Sequence, residues 1–275
     1  MRKIELFLST ALLLSGCYDT DLVFEDQFVP VIQGYLYINK PVEDIRITKM
    51  ISFGDDTTGA TGISNAIVTL QRGSETWTLV NNTADTSYYY SEDEIGIQPG
   101  DTFYLQAVID DMILTSTTIV PPLPPAMTLS STRLEIPQAE DMTEFRDLEM
   151  PDPIEITWED PDSGYYFFRI DNVEGNPSAI RPDMADRPFR PEQDMIITEP
   201  VTDGYYQISP MQVEYYGTHR VIVYSVNDEY VALYSTQSQD SRELNEPFTN
   251  IGNGLGLFTA FSSDTFYIEV AAASR

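Results

Sequence analysis

The stretch IQPGDTFYLQAVIDDMILTSTTIV, residues 97–120, decides the fold. Pro99-Gly100-Asp101 is turn chemistry, and Phe103, Leu105, Ala107 and Ile109 then follow at every second position. Asp110-Asp111 turns the chain back into a second run rich in Ile and Thr. Alternation with a period of two puts one set of side chains on one face of a half-buried strand; a helix would need apolar residues three and four apart. Two such runs joined by a short polar turn predict a β-hairpin.

Working outward, the same pattern recurs upstream. AIVTLQRGSETWTLV, residues 66–80, places Val68 and Leu70 before an Arg72-Gly73-Ser74 turn and Trp77 and Leu79 after it. VIQGYLYI, residues 31–38, alternates about Ile32, Leu36 and Ile38. Short strands with a Gly-Asp turn before a Tyr-bearing strand resemble the transthyretin-like or immunoglobulin-like β-sandwiches, so residues 29–120 are expected to form an N-terminal domain of that kind. VPPLPPAM, residues 120–127, ends the pattern. Proline lacks a donor and stiffens the chain, so a Pro-rich and acidic linker is expected over 121–153.

Downstream, alternation resumes. Ile154, Ile156 and Trp158 open a strand, Tyr166, Phe168 and Ile170 share a face of the next, and HRVIVYSVN places Ile222, Tyr224 and Val226 together. Asp228 is positioned to cap a short helix carrying Tyr230, Leu233, Tyr234 and Gln237. The fold class is therefore all-β: two β-sandwich-like domains, the second over 154–275 with one short helix. Between its strands, NPSAIRPDMADRPFRPEQD holds Arg181, Arg187 and Arg190 in an arginine-poor chain. Long irregular loops in compact domains are uncommon, so these three arginines are candidate partner- or anion-binding residues.

The amino terminus carries a second message. Arg2 and Lys3 precede an apolar run from Leu6 to Leu14, too short to cross a bilayer but laid out as a secretory signal peptide. Leu14-Ser15-Gly16-Cys17 resembles the lipobox of bacterial lipoproteins, and that resemblance implies removal of residues 1–16 and acylation of Cys17, the single cysteine. A single cysteine has no partner for an intrachain disulfide. Several acyl chains make attachment to a membrane effectively permanent, so an anchored protein is expected without a spanning helix. Residues 17–28 form an acidic tether with Asp19, Asp21, Glu25 and Asp26, similar to the signal that sends lipoproteins of the Bacteroidota to the outer face of the outer membrane.

Charge narrows the partners. Loss of Arg2, Lys3 and Glu5 with the leader takes the formal charge from −29 to −30, leaving Lys40 and Lys49 as the lysines. Such a surface repels nucleic acid and anionic headgroups. No cofactor is expected. His219 is the one histidine, so a multi-histidine zinc site is ruled out, and it is read as a structural or exposed residue. The loops Asp55-Asp56-Thr57 and Asp160-Pro161-Asp162-Ser163-Gly164 offer oxygens suited to calcium, without the ligand spacing of an EF-hand.

The closing block NEPFTNIGNGLGLFTAFSSDTFYIEV, residues 245–270, is the most distinctive part of the mature chain. Its glycines lack the following helix and lysine of a phosphate cradle. Pro247-Phe248, Asn250-Ile251 and Gly254-Leu255-Gly256-Leu257-Phe258, with the early Ile32–Leu36 strand and the lipobox, resemble the Bacteroidota lipoprotein family of domain of unknown function 4249. The resemblance implies an outer-membrane lipoprotein of two β domains, often encoded beside TonB-dependent transporters. Gly254, Gly256 and Phe258 join the arginines as candidate binding residues, although this chain carries Asn253-Gly254 where members commonly show paired glycines. The expected function is a non-catalytic, surface-exposed accessory to such a transporter; the alternative is a secreted carboxylate-dependent hydrolase such as a glycosidase, which needs two carboxyl groups held at a set separation in a cleft.

Overall fold

The computed structural model describes residues 28–50, 60–90, 95–138, 144, 148–160, 164–181, 195–237 and 248–273. Cys17 with its leader and tether to residue 27, the Asp55–Thr57 loop, Arg187, Arg190 and Pro247 lie outside the described residues.

The chain is nearly all β. The N-terminal half runs β1 (Pro30–Tyr37), β2 (Asp44–Lys49), β3 (Ile67–Arg72), β4 (Glu75–Asn81), β5 (Ser87–Tyr89), β6 (Thr102–Ile109) and β7 (Met112–Ile119). The second half runs β8 (Thr128–Leu129), β9 (Arg133–Ile136), β10 (Ile154–Thr157), β11 (Tyr165–Asn172), β12 (Met195–Ile197), β13 (Tyr205–Ile208), β14 (Gly217–Val226), α1 (Asp228–Gln237) and β15 (Leu255–Ala272). Strands pair in the order β12-β11-β14-β15-β1-β2-β5-β4-β3-β6-β7, with β9 also on β15, and β13-β10-β8 form a separate small sheet.

The hairpins follow the turn chemistry. Ile109 pairs with Met112 across Asp110-Asp111, and Arg72 with Glu75 across Gly73-Ser74. Asp110 at φ 51° and Gly73 at φ 58° supply the left-handed residue that two-residue hairpin turns require. Val68, Leu70, Phe103, Leu105, Ala107 and Ile109 face one core with Ile32, Leu36 and Ile47. Each Val, Leu, Ile or Phe among them contributes about 1.5–3 kcal/mol by leaving water, before the entropy cost of ordering it.

β15 joins the halves. Its residues Leu255–Phe261 pair in parallel with Val31–Tyr37 of β1, and Ser262–Val270 pair antiparallel with β14. Even-numbered residues serve both cores: Phe258 and Ala260 lie in the first, and Phe266, Ile268 and Val270 in or against the second. Ile251, Phe258 and Ala260, all within the segment expected to form a separate second domain, thus complete the first core. The expected linker is also bound at its start, where Ser262 donates a 2.5 Å hydrogen bond to the Pro121 carbonyl.

The second core is a sandwich. The sheet β12-β11-β14-β15-β9 packs Phe168, Ile170, Val221, Val223, Ile268 and Val270 against Ile154, Ile156 and Trp158 of the small sheet's side. β14 buries both faces, because Ile222, Tyr224 and Val226 on its far side meet Phe167, Phe261 and α1. That helix begins one residue earlier than its capping signal implies. The Asn227 carbonyl accepts from Val231, which makes Asn227 the cap residue, while its side chain donates to the Ile119 carbonyl at 2.8 Å and Thr118 at 3.2 Å.

Candidate functional site

Where the halves meet, six aromatic rings gather. On β1 the residues that alternate with Ile32 and Leu36 are Tyr35 and Tyr37, which face away from the first core. They meet Phe261 of β15, Phe167 of β11, Tyr224 of β14 and Tyr230 of α1. Tyr37 stacks on Phe261 at 5.2 Å, Phe167 on Tyr224 at 4.7 Å, and Tyr230 meets Phe261 edge-on at 5.1 Å. Such pairs contribute beyond their buried area, so this seam is both adhesive and geometrically set.

The cluster is open on one side. A cleft of 280 Å³ is lined by Tyr35, Tyr37, Tyr224 and Arg169. Lys40, Glu43 and Asp44 line it as well, so its charged groups are two cations and two carboxylates. The tight turn after β1, with Asn39 at φ 54°, brings the Lys40 ammonium to 5.1 Å from the centre of the Tyr37 ring. Burial, reinforced by the Asp44 charge, pushes the phenols of Tyr35 and Tyr37 well above their ordinary value.

From Arg169 an ion-pair row runs across the sheet. Register sets Asp171 of β11 opposite Arg220 of β14, and Arg169 lies two residues before Asp171 on the same face. Arg220 donates to Asp171 Oδ2 at 2.5 Å, and Arg169 Nε lies 3.3 Å from Oδ1. Burial pushes the Tyr224 phenol up, and the neighbouring Arg169 guanidinium acts against that shift. One carboxylate, itself 9% exposed, thus faces two guanidinium groups.

The residues singled out from sequence fall elsewhere. Arg181 donates to the Val213 carbonyl at 3.0 Å. Gly254 and Gly256 let two backbones approach: a Cβ on Gly256 would fall 1.9 Å from the Ile32 carbonyl oxygen, and one on Gly254 would meet Leu114 at 2.5 Å. Phe258 is fully buried, and its ring covers Gly34 on the neighbouring strand, which accounts for the glycine of the early motif. Asn250 accepts from the Phe258 amide at 2.9 Å and donates to its carbonyl at 2.7 Å. Asn253 sits at φ 62°, a left-handed position that asparagine tolerates, and donates to Ile113 at 2.9 Å. The glycine-rich block is thereby placed in packing between β7, β1 and β15.

His219 is buried, with Nδ1 3.1 Å from the Gly217 carbonyl and Nε2 3.4 Å from the Asn172 side-chain nitrogen. The carbonyl requires the proton on Nδ1, so Nε2 accepts; burial pushes the imidazole pKa below its ordinary value. Asp160 takes hydrogen bonds from the Gly164 amide and the Tyr166 hydroxyl. The described residues include no group of three His, Cys, Asp or Glu side chains able to hold a metal, and no described helix is long and apolar enough to cross a membrane.

The recess went unmarked in the sequence because its residues come from β1, the turn after it, β11 and β14. Its one local signal is the pair Tyr35 and Tyr37 at the positions a core-facing strand leaves to solvent.

No curated protein matches this chain. Among solved structures, a Salmonella alpha-2-macroglobulin mutant aligns at 11% identity and TM-score 0.26, over 89% of this chain and 15% of that one. A chimeric titin Z1Z2 tandem aligns at 12% identity and TM-score 0.20, over 90% and 98% of the two chains. The FN1-FN3 domains of chicken CNTN1 align at 11% identity and TM-score 0.19, over 87% and 68%. The family model described as Domain of unknown function (DUF4249) matches residues 18–266, nearly the whole chain, and the protein belongs to that family.

Proposed function

We propose that this chain is a non-catalytic binding protein, tethered through lipid on Cys17 to the outer face of a bacterial outer membrane, and that it works beside a TonB-dependent transporter. The open tyrosine recess is the observation that carries the binding part of this reading. Three tyrosines beside charged groups of both signs form a surface on which a cargo molecule or a partner's side chain gains both ring contact and directed polar contact. The anchoring part rests on Leu14-Ser15-Gly16-Cys17 behind a basic, apolar leader, and on the acidic residues that follow. The transporter part rests on resemblance to Bacteroidota lipoproteins.

One experiment separates these parts. The tagged chain is purified from its native outer membrane in mild detergent, as wild type and as Tyr37→Ala. Mass spectrometry of the mature N-terminus is expected to give an acylated Cys17, and the wild type is expected to bring down a TonB-dependent transporter in stoichiometric amount. Recovery of the chain alone, under conditions that preserve other outer-membrane complexes, sinks the transporter partnership. An unacylated N-terminus sinks the anchor. Loss of the transporter with Tyr37→Ala assigns the recess to docking, and its retention assigns the recess to cargo.

A further inference from the structure

We propose that the outer face of β4-β3-β6-β7 docks a second copy of this chain, sheet on sheet, in a weak two-fold dimer. This surface is separate from the tyrosine recess, whose residues lie on β1, the turn after it, β11 and β14.

An absence of charge distinguishes the face. Val68, Leu70, Phe103, Leu105, Ala107 and Ile109 point into the first core, so the residues that alternate with them point outward. The outward residues of β4, β3, β6 and β7 are Thr, Val, Ile, Gln and Tyr, without a single Asp, Glu, Lys or Arg. Other strands do carry charge on their outward sides: Asp44 and Arg46 on β2, Arg133 and Glu135 on β9, Glu155 on β10. Register orders the uncharged face into rows. Ile67, Val108 and Ile113 lie side by side across β3, β6 and β7, and Thr69, Gln106 and Thr115 form the row above. Ile67 and Ile113 are 62% and 48% exposed, and Ile119 toward the other end is 57% exposed. Apolar groups set among uncharged polar ones, in a chain of formal charge −29, have the composition of an interface and not of a solvated shell.

Three features select the partner. The free edge of β7 is closed, because Asn253 donates to the Ile113 carbonyl at 2.9 Å, Thr115 and Gly252 exchange both backbone bonds, and Asn227 donates to the Ile119 carbonyl at 2.8 Å. A partner therefore comes onto the face and not onto the edge as an added strand. Rows of short and β-branched side chains let another sheet approach to the ~10 Å of sheet packing, and the match for a twisted, pleated face is a face of the same twist. A second copy supplies one. Charge points the same way: a basic partner would gain most on the acidic faces, whereas an uncharged face can meet another acidic body without bringing carboxylates together. Four strands ~4.8 Å apart and roughly seven residues long make a face on the order of 450 Å², about half of what each partner gives to a standard stable interface. The dimer is therefore weak and concentration-dependent.

The test is sedimentation equilibrium of the purified full chain in density-matched detergent, with a reductant present so that Cys17 cannot link two chains. Wild type is expected to shift from monomer toward dimer as its concentration rises to about 0.2 mM. Association is expected to tighten as salt rises from about 0.05 to about 0.5 M, because screening relieves the repulsion between two acidic bodies. Ile67→Lys and Ile113→Lys place a charge in the face at exposed positions, which spares the fold, and each is expected to weaken association roughly tenfold or more. Met211→Lys, at a 54% exposed position of the second half, is expected to leave it unchanged. A monomer at every concentration overturns the proposal, as does association that weakens with salt or a dimer that survives both face variants. If the chain is monomeric and Ile67→Lys loses the transporter in the purification described above, the face belongs to the transporter and the proposal falls.

Discussion

The N-terminal half gathers its core from alternate residues of seven strands and then borrows Ile251, Phe258 and Ala260 from the far end of the chain. The second core draws on residues between Met127 and Val270 and, among the described residues, takes no side chain from β1–β7, although Tyr35 and Tyr37 of β1 cover the far face of β14. Of the two main cores, the second is thus complete within its own stretch of sequence, whereas the first is not. The reason lies in β1, which has β2 on one edge and, on the other, room for a parallel strand that must arrive from outside its own half. A parallel neighbour needs a crossover, and here the crossover is the whole second half.

The sharpest way to break this asymmetry is Gly256→Val. Its backbone sits at φ 108° and its Cβ direction points into the Ile32 carbonyl, so any side chain parts β15 from β1. A loss of about 4 kcal/mol or more is expected in chemical denaturation, with the first core lost at lower denaturant than the second. Loss of both cores in one unchanged transition would mean that the halves do not differ in dependence.

Paired truncations come next. Phe258→Ala and Phe168→Ala each remove a fully buried ring, one from each core, and each is expected to cost about 3–5 kcal/mol. Phe258 lies on the shared strand, so its loss is expected to lower hydrogen-exchange protection in β1 and β2 while largely sparing β10 and β13. Phe168→Ala is expected to do the reverse. Matching protection losses in both halves for both variants would erase the distinction.

The smallest expected effect is a pH dependence confined to the second half. His219 has a folded pKa below its ordinary 6.5, because burial disfavours the charged ring. The unfolded chain therefore binds the proton more readily, so this contribution is fully present above about pH 6.5 and is lost as the pH falls below it. Protection in β11 and β14 is expected to decline through that range ahead of protection in β3 and β6, and His219→Asn is expected to flatten the decline. An unchanged slope in that variant would remove His219 as the cause.

Much of this architecture is legible residue by residue. Phe103 through Ile109 alternate, Asp110-Asp111 must turn, and the hairpin closes over two residues, so everything needed lies within one short window. Tyr166, Phe168 and Ile170 were readable for the same reason. The closing block read differently. A sequence does not state what a glycine makes room for, and at Gly256 it is the backbone of a strand more than two hundred positions earlier. The boundary at Pro121–Pro125 marked a real end of pairing, but the bond from Ser262 to Pro121 ties that point to the shared strand.

By itself, then, the sequence determined the all-β class, the hairpins, the short helix and the family, since alternation, turn preference and motif are local properties of the chain. Only the tertiary structure decided that the last strand closes the first core, that Asp171 is shared between two arginines, and that Tyr35 and Tyr37 meet Tyr224 in an open recess. Those outcomes turn on which distant strand lies beside which, and period-two patterning specifies the face a residue takes without specifying the neighbour it meets there.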